Sequence, residues 1–186
     1  MRKVAIFTEG QTELIFIRYL TGMELGWDKI SVRCISLTRN KSTLAGLNYE
    51  NPHADVLFQI IDVGNDERVL SKIKEQEEHL LKSGFVKILG LRDMYSESYL
   101  KRAGKKVVPD VINQFIEIAK HIVQKMSSPD KVILHFAIME VEAWFLAMWK
   151  VFERLDTKLT VEYISGKLLK LTDFLYGFSC GYQKSP

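Results

Sequence analysis

Val56-Leu57-Phe58-Gln59-Ile60-Ile61-Asp62-Val63-Gly64-Asn65-Asp66 opens the most legible unit of the sequence. Its first eight residues form an apolar run with β-branched side chains, stopped by Gly64-Asn65-Asp66, and read as a buried strand. Asn65 or Asp66 can cap a following helix. Val69, Leu70, Ile73, Leu80 and Leu81 share one face of that helix, and Gly84 ends it. Phe85 to Leu91 is then a second strand, running straight into Arg92-Asp93. Strand, helix and strand joined by short connections make a parallel crossover unit.

The same alternation extends in both directions. Lys3 to Thr8 reads as a buried strand, and Gln11 to Leu20 as a helix with Leu14, Ile15, Ile17 and Leu20 apolar. Ile30 to Leu37 alternates apolar and polar residues as a strand does. Arg39 to Asp55 is polar, contains Asn51-Pro52, and reads as a long loop. With no helix between them, either Ile30–Leu37 or Val56–Val63 is open to an antiparallel edge position. Downstream, Met94 to Lys106 reads as a polar, basic loop. Pro109 suits the first turn of a helix with Ile112, Phe115, Ile116, Ala119 and Val123 on one face. Ser127-Ser128-Pro129-Asp130 breaks it, and Lys131 to Ile138 forms a further strand. Together these elements predict an α/β fold: a mainly parallel sheet of four to five strands with helices on both faces, doubly wound in plan.

From Glu140 to about Phe152 the helix pattern is apolar nearly all round. Val141, Phe145, Met148 and Phe152 form one stripe, and Leu146 and Trp149 lie on another. The second stripe needs a cover. A C-terminal helical segment with Leu168, Leu171 and Leu175 could supply it, and so could a second subunit in a homodimer. The expected organisation is an α/β domain over residues 1–155 with a helical extension over 156–186 packed on it.

Composition excludes several classes. The chain has 186 residues, 47% hydrophobic and 26% charged, the profile of an ordinary globular protein rather than a disordered or fibrous one. Its 26 Lys and Arg against 23 acids leave a net charge of +3, so only local clustering can argue for a nucleic-acid partner. Cys34 and Cys180 are too few for a disulfide framework or a zinc site. Basic residues precede an apolar run at the N-terminus, but the run is too short for a signal peptide, and no stretch is long enough to span a membrane. A cytoplasmic location without membrane association is the expectation.

In a parallel sheet, function gathers at the carboxyl ends of the strands. Thr8-Glu9-Gly10, Arg92-Asp93 and Met139-Glu140-Val141-Glu142 deliver a carboxylate at three such ends. Clustered carboxylates repel unless a cation neutralises them, and Mg²⁺ accepts a few carboxylate oxygens while leaving positions for water and phosphate. The plainer alternative is that each acid caps the helix that follows it.

These residues also carry a family resemblance. Glu9-Gly10-Gln11-Thr12-Glu13 resembles the EGxTE signature of a Toprim-like family of uncharacterised bacterial proteins. Leu91-Arg92-Asp93-Met94-Tyr95 stands where Toprim domains carry Asp-x-Asp, and Glu140-Val141-Glu142-Ala143-Trp144-Phe145-Leu146-Ala147 is similar to the family's ExEAWLLA stretch. The resemblance covers residues 1 to about 150. It implies Glu9, Asp93 and Glu140 as ligands of Mg²⁺ or Mn²⁺, with Glu142 as a further candidate acid. It also implies phosphoryl transfer or nuclease activity on nucleic acid, in the manner of phage-defence proteins. Two departures oppose this: Tyr95 replaces the second aspartate, and no aspartate follows the Trp144 stretch. They favour the other reading, a degenerate module that binds nucleic acid, nucleotide or a partner protein without chemistry.

Lys101, Arg102, Lys105 and Lys106 cluster after Asp93, where they could contact a phosphate backbone, with Tyr95 and Tyr99 nearby to stack bases. A solvated loop is the simpler reading of such a run. Gly177-Phe178-Ser179-Cys180-Gly181 matches the GxSxG pattern, but no histidine follows it, and it reads as a turn. His53, His79, His121 and His135 are scattered and read as structural. Cys34 reads as a small core residue.

Overall fold

The computed structural model describes residues 1–38, 41–44, 46–104, 106–138, 156–158 and 160. The chain divides into two compact units, Met1–Met139 and Glu140–Pro186, and every regular element among the described residues belongs to the first. In chain order these are β1 (Arg2–Thr8), α1 (Gln11–Leu25), β2 (Ile30–Thr38), β3 (Lys41–Leu44), β4 (Val56–Asp62), α2 (Val69–Lys82), β5 (Phe85–Asp93), α3 (Glu97–Ala103), α4 (Pro109–Gln124) and β6 (Val132–Ala137). The all-round apolar helix pattern from Glu140, the C-terminal helical segment and the GxSxG match lie outside the described residues.

The strands form one sheet in the order β3-β2-β4-β1-β5-β6. The five from β2 to β6 in that order are mutually parallel, and only β3 runs antiparallel, against β2. The fold is therefore α/β, with a five-stranded parallel sheet extended by one short edge strand. Successive residues of β1 feed opposite faces. Ile6 joins Leu14 of α1 and Phe58 and Ile60 of β4 on one side, while Ala5 and Phe7 join Val69 and Ile73 of α2 and Ile88 of β5 on the other. Burial on both faces is why this strand reads as an unbroken apolar run.

Two expectations are corrected. Neither β2 nor β4 is antiparallel; they pair in parallel from Ile30↔Val56 to Ser36↔Asp62. The return between them needs no helix, because the intervening chain follows the edge of β2. β3 pairs with its upper half, and lower down Val32 and Tyr49 exchange backbone hydrogen bonds of 2.7 and 2.8 Å. Ser31 and Asn51 then tie the same segment down. The stretch read as one long loop thus contains a strand. The second correction is α3, inside the stretch read as a basic loop. Ser96 caps it, accepting from the Tyr99 N–H, and Tyr99 is wholly buried. Seven residues are too few to show helical periodicity in sequence.

The remaining elements follow their predicted signals. Asn65 Oδ1 accepts from the Glu67 N–H at 2.8 Å and caps a short 3₁₀ turn that leads into α2. Gly84 follows α2 at φ +87°, a conformation few side chains tolerate. Pro109 opens α4 as expected.

Candidate functional site

The chain leaves β1 through α1 towards one edge of the sheet, and leaves β5 through α3 and α4 towards the other. Since β1 and β5 are neighbours, their carboxyl ends form a topological switch point, the place where open α/β sheets generally bind their ligands. Glu9 and Asp93 flank that point.

Glu9 follows the last residue of β1 and precedes Gly10, the N-cap of α1. Its Oε1 accepts a hydrogen bond from the Asp93 backbone N–H across the gap between the strands. Asp93 ends β5, and its Oδ1 accepts from the Tyr95 N–H at 3.0 Å, closing a turn. The structure thus brings two of the sequence-predicted acids together. Each has one carboxylate oxygen engaged by a backbone amide. Glu140 and Glu142 lie outside the described residues. Among those described, no three His, Cys, Asp or Glu side chains converge closely enough to hold a metal ion.

A further acid stands on the other side of β1. Asp62 ends β4 in register with Thr8, taking the Gly64 N–H at 2.7 Å on Oδ1 and the Ser36 hydroxyl at 3.2 Å on Oδ2. Sequence reading passed over it as the tail of an apolar run. The available signal was its place just before Gly64-Asn65, the same strand-end context that singled out Glu9 and Asp93.

Arg92 precedes Asp93 on β5, in register with Phe136 of β6, and its guanidinium carbon lies 6.0 Å from the Phe136 ring centre. Glu67, in the turn before α2, accepts a short hydrogen bond from the Ser98 hydroxyl of α3. That bond, helped by the charges of Arg92 and Lys101, holds the carboxyl of this exposed residue below the usual glutamate range. The turn after β4, the end of β5 and α3 therefore meet in one place.

Of the cationic candidates, Lys101 and Arg102 lie on α3 and Lys106 follows it. Lys101 pairs with Glu97 one helical turn back at 2.6 Å, and that partner raises its pKa. Arg102 packs 5.3 Å from the Phe115 ring centre, and Lys106 is exposed. Lys105 lies outside the described residues. Tyr99 is corrected as a base-stacking candidate, because it has no exposed surface: its hydroxyl donates to the Lys106 carbonyl and accepts from the Val108 N–H, both at 2.9 Å. Tyr95 packs edge-on against it, with ring centres 5.3 Å apart. Cys34 is a free, wholly buried thiol, and burial pushes its pKa up. No helix among the described residues is long and apolar enough to cross a membrane.

No family model and no curated protein matches the chain.

Proposed function

We propose that this is a Toprim-like domain that handles phosphate at the β1–β5 switch point with a divalent cation, as a nuclease or phosphoryl transferase acting on nucleic acid in a bacterial, cytoplasmic setting. The observation that carries the reading is the bond between the Glu9 carboxylate and the Asp93 amide. It sets two acids from separate strands side by side where an open α/β sheet binds its ligands. The donor set suits Mg²⁺ or Mn²⁺, since such ions are commonly held by one or two carboxylates and keep several waters. Glu9 and Asp93 would hold the ion, with Glu140 as the third ligand that the family resemblance implies. When bound, the ion would polarise a phosphoryl oxygen and acidify a water. The backbone amides of Asp93 and Tyr95 orient the two carboxylates.

Tyr95 supports a second reading. It occupies the place of a second aspartate, and its ring packs against the buried Tyr99. A module that has lost chemistry and only binds nucleic acid, nucleotide or a partner protein would look the same here. Cleavage of single- and double-stranded DNA and RNA with Mn²⁺ separates the two. The enzymatic reading expects activity that Glu9→Gln and Asp93→Asn abolish. Nucleic-acid binding without cleavage, with cleavage appearing in Tyr95→Asp, would establish the second.

A further inference from the structure

Arg92 is an unusual arginine. Its Nε is fully buried and has no hydrogen-bond partner. Its interactions among the described residues are the 6.0 Å approach to the Phe136 ring and a through-space influence on Glu67. A buried donor left unpaired costs stability, and in a native protein such a group calls for an explanation, of which a bound ion is one. An arginine kept only for packing could be replaced by an apolar residue without that cost.

Its position gives the orphaned donor a direction. Gly90, two residues earlier on β5, faces α2: a Cβ there would lie 2.7 Å from Ile73 Cδ1 and 2.5 Å from Leu134 Cδ1. Alternation along the strand puts Arg92 on that same side, one step nearer the carboxyl edge. There its charge acts on Glu67, whose carboxylate accepts from the Ser98 hydroxyl of α3. Asp93, the next residue, donates its backbone N–H to Glu9. Arg92 therefore sits at the carboxyl end of β5, next to the Glu9–Asp93 pair in sequence, with Glu67 as its opposing charge.

We infer that Arg92 is the phosphate receptor of this switch point, using its guanidinium fork to hold the phosphate group of a ligand beside Glu9 and Asp93. A planar fork matches two phosphate oxygens at once, which a lysine cannot do. The inference rests on the phosphate-handling part of the function proposed above and names the residue that recognises the substrate. It does not involve the metal.

Titration of the full chain with inorganic phosphate in EDTA at low salt, followed by calorimetry or ³¹P line width, tests it. The native protein should bind, and Arg92→Met should weaken binding by about tenfold or more, the scale of one charge-assisted pair. The thermal midpoint of Arg92→Met should be unchanged or higher, because an orphaned donor has gone. Arg92→Lys, which keeps the charge but not the fork, should fall between. Lys82→Met, which removes an exposed charge on α2, should bind as the native protein does. Absence of phosphate binding, native affinity in Arg92→Met, or equal weakening in Lys82→Met would overturn the inference. So would a destabilised Arg92→Met together with native affinity in Arg92→Lys. Loss of Mn²⁺ binding with phosphate binding retained would instead remove the metal and leave Arg92 in place.

Discussion

Replacing Tyr99 by phenylalanine isolates the one hydroxyl that fastens the chain after α3. The ring is wholly buried and lies against Tyr95 and Phe115, with centres at 5.3 and 5.9 Å, so phenylalanine preserves the packing. What disappears is one oxygen that serves two backbone groups, the Lys106 carbonyl and the Val108 N–H. Lys106 is exposed and its carbonyl can turn to water, whereas Val108 is half-buried. An orphaned buried group costs about 1–3 kcal/mol, so a loss of about 2 kcal/mol is expected. At about 2–4 °C per kcal/mol for a chain of this size, the thermal midpoint should fall by about 4–8 °C. In urea the midpoint should drop with an unchanged slope, because the surface exposed on unfolding is the same. Amide exchange should accelerate at Val108 and leave β1 unaffected. An unchanged midpoint, or native protection at Val108, would refute the assignment of this hydroxyl as the clasp of α3.

Gly22→Ala should destabilise the protein although it improves helix propensity by about 1 kcal/mol, because the new Cβ would overlap the indole of Trp27. The ring is held by Tyr49 and Arg18 and has little room to yield, so overpacking should cost about 1–3 kcal/mol in chemical denaturation. Glu67 should titrate below an ordinary glutamate in a ¹³C-detected pH series, and Ser98→Ala should return it towards the ordinary value. The depressed pKa means that whatever this contact contributes is present above the unfolded-state pKa and is lost as pH falls through the folded one. The Cys34 thiol, buried and with its pKa raised, should react with a thiol reagent only as the protein unfolds.

The parts of the fold legible in sequence were those whose signal is local. Val56–Asp62 and Phe85–Asp93 are mostly apolar stretches with β-branched residues at core positions, and α2 announces itself through Asn65, one apolar face and Gly84. β3 could not be read, since Lys41-Ser42-Thr43-Leu44 becomes a strand only through its ladder with Ile35–Thr38. The parallel pairing of β2 with β4 was hidden for the same reason, lying in backbone bonds between distant segments. α3 was hidden by length, and by basic residues that looked like loop composition until Tyr99 was seen to anchor it. At the site, Glu9 and Asp93 were found because each follows a clear strand. Asp62, at an equivalent strand end, was overlooked because Val63 continues the apolar run past it. Arg92 was visible in the sequence, but its orphaned Nε is a property of packing that no pattern of residue types encodes.

The pairing of Glu9 with Asp93 as a cation site is tested most directly by Mn²⁺ titration of the native chain, following paramagnetic broadening of assigned backbone amides. The account predicts saturable broadening centred on residues 8–10 and 92–95, lost in both Glu9→Gln and Asp93→Asn while the thermal midpoint stays near that of the native protein. Broadening that centres elsewhere, or that survives in both variants, would contradict it.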